Sequence, residues 1–183
     1  MNLQDDNYLM ELAADDDKEA YNSIVKKHRS SAIAFAYSIL YDLFLAEDAV
    51  QDVFVNIYIR RKSYRPVSEF RTFLFQSVRN RCIDYLRRSK VRAAADIKSI
   101  SEAVSCSAED EFLSTEREKL IYELMNSLSE DYKTALYLYA AEGISYSEIA
   151  KIMKKTLPQV KILIFRARKK IKSQYQEVSG NEK

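Results

Sequence analysis

Asp48 and Asp52 stand four residues apart, and on a helix that spacing puts two carboxylates on one face, where they can share a metal ion. No third ligand accompanies them, and any solvated acidic face shows the same spacing. No metal site is therefore assigned, and no cofactor is expected. The chain has 1 histidine, His28, with no sequence neighbour to orient it as a general base. Cys82 and Cys106 lie far apart with no CxxC, so the usual zinc and redox spacings are missing. They read as free thiols of a reducing cytoplasm, and neither is given a role. No catalytic residue is assigned. An enzyme acting on nucleic acid through carboxylates and a metal is the weakest of the readings considered.

The cations carry more. A net charge of +2 hides strong segregation. Residues 60–92 hold 11 bases and 2 acids, and residues 151–173 hold 9 bases and no acid. Between them, residues 93–131 hold 10 acids and 3 bases, and residues 1–19 hold 7 acids and 1 base. Two basic blocks parted by an acidic one suggest two surfaces for a polyanion, nucleic acid first. Two solvated helix faces are the plain alternative.

The second basic block is preceded by two capping boxes. Ser145-Tyr146-Ser147-Glu148 fits S-x-x-E, with Ile144 and Ile149 placed for a hydrophobic staple, and Thr156-Leu157-Pro158-Gln159 fits T-x-x-Q. The first helix has room for about two turns before the chain bends near Lys154 and Lys155. A short helix, a tight turn and a longer basic helix is the layout of a DNA-binding helix-turn-helix. At about 100° per residue, Val160, Ile164, Ala167 and Ile171 share one face of the second helix. Ile162, Phe165, Arg166 and Lys169 share the opposite one, flanked by Lys161, Arg168 and Lys172. Arginine reads guanine edges and apolar groups meet thymine methyls in the major groove. A second packing face or a protein groove is the competing use of that side.

The first basic block mixes rings with charges: Tyr64, Phe70, Phe73, Phe75 and Tyr85 among Arg79, Arg81, Arg87 and Arg88. Cations that track phosphates and rings that stack on bases suit melted nucleic acid. A core role for the rings stays open on this evidence.

The elements that hold these groups are helices. With 2 glycines and 2 prolines in 183 residues, the chain lacks the turn residues of an all-β fold. Apolar spacing predicts helix over 7–28, broken and recapped at Asp15–Asp17, and a helix buried on most sides over 30–41. The clearest lies at 46–58, where Ala46, Ala49, Val50, Val53, Phe54 and Ile57 form one stripe. Pro66 breaks the pattern, Ser68 caps a helix over 69–88, and Glu116–Leu128 forms another. Ser129 then caps a helix that Gly143 ends. The fold class is all-α, with two small helical domains joined by a flexible linker. Domains are expected at 1–92 and 116–176, with an acidic Ser/Ala-rich linker at 93–115 and a disordered tail at 177–183. The N-terminus has no basic start or apolar core, and no uncharged run is long enough to span a bilayer. No export segment and no membrane insertion are expected, and a cytoplasmic location is expected with them.

Taken together, the residues resemble the extracytoplasmic-function (ECF) sigma factors, small two-domain bacterial transcription initiation factors. The first match runs from Ala46 to Tyr58, followed by Phe70-Arg71-Thr72-Phe73-Leu74, Asn80 and Asp84-Tyr85-Leu86-Arg87-Arg88. The second is Glu142-Gly143-Ile144-Ser145-Tyr146-Ser147-Glu148-Ile149-Ala150, then Val160-Lys161 and Phe165 to Ile171. The resemblance implies a non-enzymatic subunit that binds core RNA polymerase and directs it to promoters, under control of an anti-sigma factor. It implies contact with the β′ clamp helices through Glu47, Asp48, Gln51, Asp52 and Phe54, and with the β flap through the second domain. It implies recognition and melting of the minus-ten element by Asn56, Phe73, Asn80, Arg79, Arg87 and Arg88, with Asn80 reading a flipped base. It implies minus-thirty-five contacts from Thr156, Gln159, Lys161, Ile162, Phe165, Arg166 and Lys169. Promoter DNA is thus a partner both as duplex and melted. The chain departs from the family with Phe73 for tryptophan, Ser129 for proline, Lys154 for a glycine, and Ile162 and Leu163 for polar residues. A stand-alone helix-turn-helix regulator is the alternative, and it predicts specific DNA binding without polymerase.

Overall fold

The computed structural model describes residues 5–65, 68–96, 124–125 and 127–180. The described residues form seven α-helices and one 3-10 turn, with no strand among them. They belong to two compact units, Met1–Lys98 and Ser99–Lys183.

The first unit is built from α1 (Asp6–Ala14), α2 (Lys18–Leu40), α3 (Leu43–Ile59), the 3-10 turn Arg61–Ser63 and α4 (Phe70–Asp96). Aspartates start the first three helices. Asp5 accepts from the Asn7 amide at 3.1 Å, Asp17 from Glu19 and Ala20 at 2.9 and 3.1 Å, and Asp42 from Leu45 at 2.9 Å. Each satisfies amides that the first helical turn leaves without a partner. The break at 15–17 is where the sequence places it. Residues 30–40 continue α2 without interruption, with Tyr41 its left-handed C-cap, and Ser30 and Ala34 remain exposed along it. Met10, Ile24, Phe35, Val50, Phe70, Leu74, Phe75 and Val78 form the core, with Phe35 edge-on to Phe75 at 5.2 Å. Each larger apolar side chain buried this way stabilises by roughly 1.5–3 kcal/mol.

His28 does have an orienting partner, supplied by tertiary structure. Its Nε2 lies 2.8 Å from Asp6 Oδ2, and its ring packs 5.7 Å from Phe70. Burial holds the imidazole below its ordinary value, against the opposing pull of Asp6. Cys82 is buried, and that burial pushes its thiol up to about 12, so it is unreactive.

The second unit contains α5 (Glu130–Ala140), α6 (Tyr146–Met153) and α7 (Leu157–Gly180). Leu138, Ile149, Ile152, Val160, Ile164 and Ala167 are fully buried, and Leu128, Leu136 and Ala167 form a cluster that Met125, Tyr132 and Ile171 cover. After α5 the chain turns through Gly143 at φ +65°, and the Ile144 amide donates back to the Leu138 carbonyl at 3.0 Å. That bond folds the chain back over the helix end, through the left-handed backbone that glycine adopts freely.

Four expectations change. Ser68 places its hydroxyl against the Glu69 carbonyl, and the Glu69 carbonyl accepts the first intrahelical bond, from Phe73. Ser129 begins α5 through backbone only, with no side-chain cap bond. α4 runs to Asp96, past the boundary expected at 92. The tail expected from 177 is helical to Gly180, because after Pro158 in its first turn no helix breaker precedes that glycine. Cys106, Pro66, most of the 93–115 linker and of the 116–128 helix, and the last three residues lie outside the described residues.

Candidate nucleic-acid interface

The helix-turn-helix forms as its caps require. Ser145 Oγ accepts from the Glu148 amide at 3.3 Å, and Glu148 Oε2 accepts from the Ser145 amide at 3.2 Å. The second box repeats this: Gln159 Oε1 accepts from the Thr156 amide at 2.8 Å, and Thr156 Oγ1 accepts from the Gln159 amide at 3.4 Å. Between them Lys154 takes the left-handed conformation, φ 53° and ψ 45°. A side chain at that backbone costs about 1–2 kcal/mol. The Lys155 amide donates to the Ala150 carbonyl at 2.9 Å and closes the turn.

α7 then divides as its angles predict. Val160, Ile164 and Ala167 are buried, while Ile162 is 50% and Phe165 69% exposed on the reverse side. Lys161, Arg166 and Lys169 are exposed beside them. Gln159, Ile162, Leu163 and Arg166 line a shallow hollow of about 230 Å³ with Tyr132 and Lys155. Lys155 is held by Asp131 at 2.9 Å. Thr156 and Gln159 spend polar groups on the cap, so their first role is to start the helix. Arg168 stacks its guanidinium 4.5 Å from the Tyr139 ring, which packs on Tyr146 at 5.0 Å.

The first unit has a groove of about 540 Å³ between α3, the 3-10 turn and α4. Asn56, Phe73, Ser77 and Arg81 line it on the helix side, and Arg60, Ser63, Tyr64 and Arg65 on the turn side. The groove unites Asn56 and Phe73, whose ring meets Tyr64 edge-on at 5.5 Å. Asn80 shares the Phe73 face of α4 two turns along, outside the lining. Arg87 and Arg88 are exposed further toward the end of α4, and Arg79 projects from another side of the helix. Sequence reasoning assigned no role to Arg60 or Arg65, and left Tyr64 open between stacking on bases and packing in the core. The signals were the Arg60–Lys62 charge run and the placement of Tyr64 before α4.

The outer face of α3 is separate. Phe44, Asp48, Gln51, Val55 and Ile59 are exposed along it. Glu47 sits at its α2 edge, 3.5 Å from Arg29. Two expected contact residues are otherwise engaged. Phe54 is only 6% exposed, at the floor of the α2–α3 groove, and its carbonyl accepts from the Tyr21 hydroxyl at 2.5 Å. Asp52 accepts through one oxygen from Arg81 Nη2, from Arg81 Nε at 3.1 Å and from the Tyr85 hydroxyl at 3.3 Å. That bond ties α3 to α4. Among the described residues no cluster of metal-ligating side chains forms.

Residues 24–92 match the family model for sigma-70 region 2, and residues 118–171 that for sigma-70 region 4. The ECF RNA polymerase sigma-E factor of Haemophilus influenzae is 31% identical over 93% of this chain and 95% of its own length. ECF RNA polymerase sigma factor SigM of Bacillus subtilis is 29% identical over 88% of this chain and 98% of its own. The Bartonella quintana sigma factor RpoE, solved in complex with the anti-sigma factor NepR, shares the fold: TM-score 0.70, 23% identity, 89% of this chain and 98% of that one. Two regions in sequence order, each with its own basic surface, and a full-length relative leave one assignment: the chain belongs to the ECF family of RNA polymerase sigma factors.

Proposed function

We propose that three surfaces of this sigma factor divide the work of promoter recognition. The outer face of α3, with Asp48 and Gln51 among Phe44, Val55 and Ile59, meets the β′ clamp helices of core polymerase. The groove of Asn56, Tyr64, Phe73 and Arg81 takes the melted minus-ten strand, with Asn80 beside it. The Ile162, Phe165, Arg166 and Lys169 face of α7 reads the minus-thirty-five duplex. One observation carries the reading most: α7 exposes an isoleucine and a phenylalanine directly opposite its buried side, amid cations, on a helix started by a complete capping box. Apolar groups flanked by cations fit thymine methyls flanked by phosphates. The same chain acts without catalysis of its own, in the cytoplasm. An anti-sigma factor is its proposed regulator, by analogy with the similar Bartonella protein.

The polymerase face is tested at Asp48. It is exposed, and its reversal leaves the Asp52–Arg81 tie in place. Asp48→Arg is expected to weaken binding to core polymerase at least about tenfold, since like charges meet across the interface. Unchanged holoenzyme formation would contradict the assignment.

A further inference from the structure

α1 has no role in the reading above, yet it and the residues just after it hold the groove wall at Tyr64 and the turn that carries the wall at Arg61 and Lys62. Leu9, Met10 and Ala13 are buried in the bundle and fix the helix in place. Near its start, Asn7 Oδ1 accepts from the Tyr64 hydroxyl at 3.0 Å. Just past its end, Asp16 takes a left-handed backbone, φ 71°, and receives Arg61 Nη2 at 2.5 Å and Lys62 Nζ at 2.8 Å. Arg61 also donates to the Tyr58 carbonyl at 2.8 Å and lies 4.2 Å over the Tyr58 ring.

The gripped segment has little structure of its own. Arg61–Ser63 is a single 3-10 turn with no side-chain cap. Its last residue, Ser63, and its neighbours Arg60, Tyr64 and Arg65 nevertheless form one whole wall of the groove. Tyr64 is the hinge of the arrangement, because its hydroxyl faces Asn7 while its ring backs Phe73. Burial raises that hydroxyl to about 12, so it stays a proton donor to Asn7 at working pH. A wall held before the ligand arrives spares the ordering cost at binding.

We propose that Asn7 and Asp16 are positioning residues for strand capture. Through them α1 sets Tyr64 against Phe73 and holds Arg60 and Arg65 at the groove. This rests on the reading of that groove as the melted-strand site.

The test uses holoenzyme assembled from core polymerase and the full chain. It is titrated with a fork-junction DNA bearing the single-stranded minus-ten element of a promoter selected from a random pool by wild-type holoenzyme. Asn7→Ala, Asp16→Asn and Tyr64→Phe are each expected to weaken fork binding about three- to tenfold, the size of a lost hydrogen bond. Asn7→Ala combined with Tyr64→Phe should be no worse than the stronger single change, because both remove one contact. Core affinity and upstream-duplex binding should stay at wild-type values. Phe73→Ala and Arg65→Ala test the groove itself. If these two also leave fork binding unchanged, the groove reading fails. If they weaken it while the α1 variants bind like wild type, the positioning role alone is overturned. Loss of fork and core binding together, with a lower melting temperature, also overturns it, since α1 would then serve stability only.

Discussion

Phe165→Ala separates folding from recognition in one residue. The side chain is 69% exposed, so folding uses only about a third of its burial. Burying a whole phenylalanine is worth about 1.5–3 kcal/mol, which leaves about 1–2 kcal/mol to be gained against a thymine-bearing groove. That corresponds to roughly 5–30-fold in Kd for a duplex carrying the minus-thirty-five element. The stability cost stays under about 1 kcal/mol, and the better helix propensity of alanine offsets part of it. Ile164→Ala is the contrast: one residue away, on the buried side, it should cost about 2–5 kcal/mol of stability. Fluorescence anisotropy with holoenzyme and labelled duplex reads the first effect, and thermal melting reads the second. Wild-type duplex affinity for Phe165→Ala, with the protein folded, would refute the assignment of that face.

Other outcomes follow from single features. Lys154→Gly removes about 1–2 kcal/mol of left-handed strain and adds about 0.5–1 kcal/mol of unfolded-state entropy. A net gain of about 0.5–1 kcal/mol should raise the melting temperature of the second unit by a few degrees, and a fall would show that the turn is unstrained. His28 is held neutral by burial, so the unfolded chain binds a proton that the folded one resists. Stability is then complete above the ordinary histidine pKa and declines as pH falls from there through the lowered folded value. Melting between pH 7.5 and 5.5 should show this decline in the wild type, reduced in His28→Gln; identical slopes would exclude His28 as its source.

Local signals in the sequence survive into the structure, and pairings across it do not. The two capping boxes, the left-handed Lys154 and the opposed faces of α7 all depend on residues within a few positions of one another. Phe54 is instructive: its spacing placed it on the buried stripe of α3, while the family resemblance assigned it to polymerase contact, and its side chain is buried. Asp52 looked like a free surface acid because Arg81 lies 29 residues away. The same holds for His28 with Asp6 and for Asp16 with Arg61, 22 and 45 residues apart. Half of the groove was legible as Asn56 and Phe73. Of its other wall only Tyr64 was singled out; Arg60, Ser63 and Arg65 were not, because only the fold brings that turn beside α4.

The most direct test is run-off transcription from a promoter pool with purified core polymerase, with and without this protein. Transcripts that appear only with the protein, and are lost with Phe73→Ala or Phe165→Ala, are the predicted result. Sequence-specific binding by the chain alone with no added transcript would contradict it and favour a stand-alone regulator.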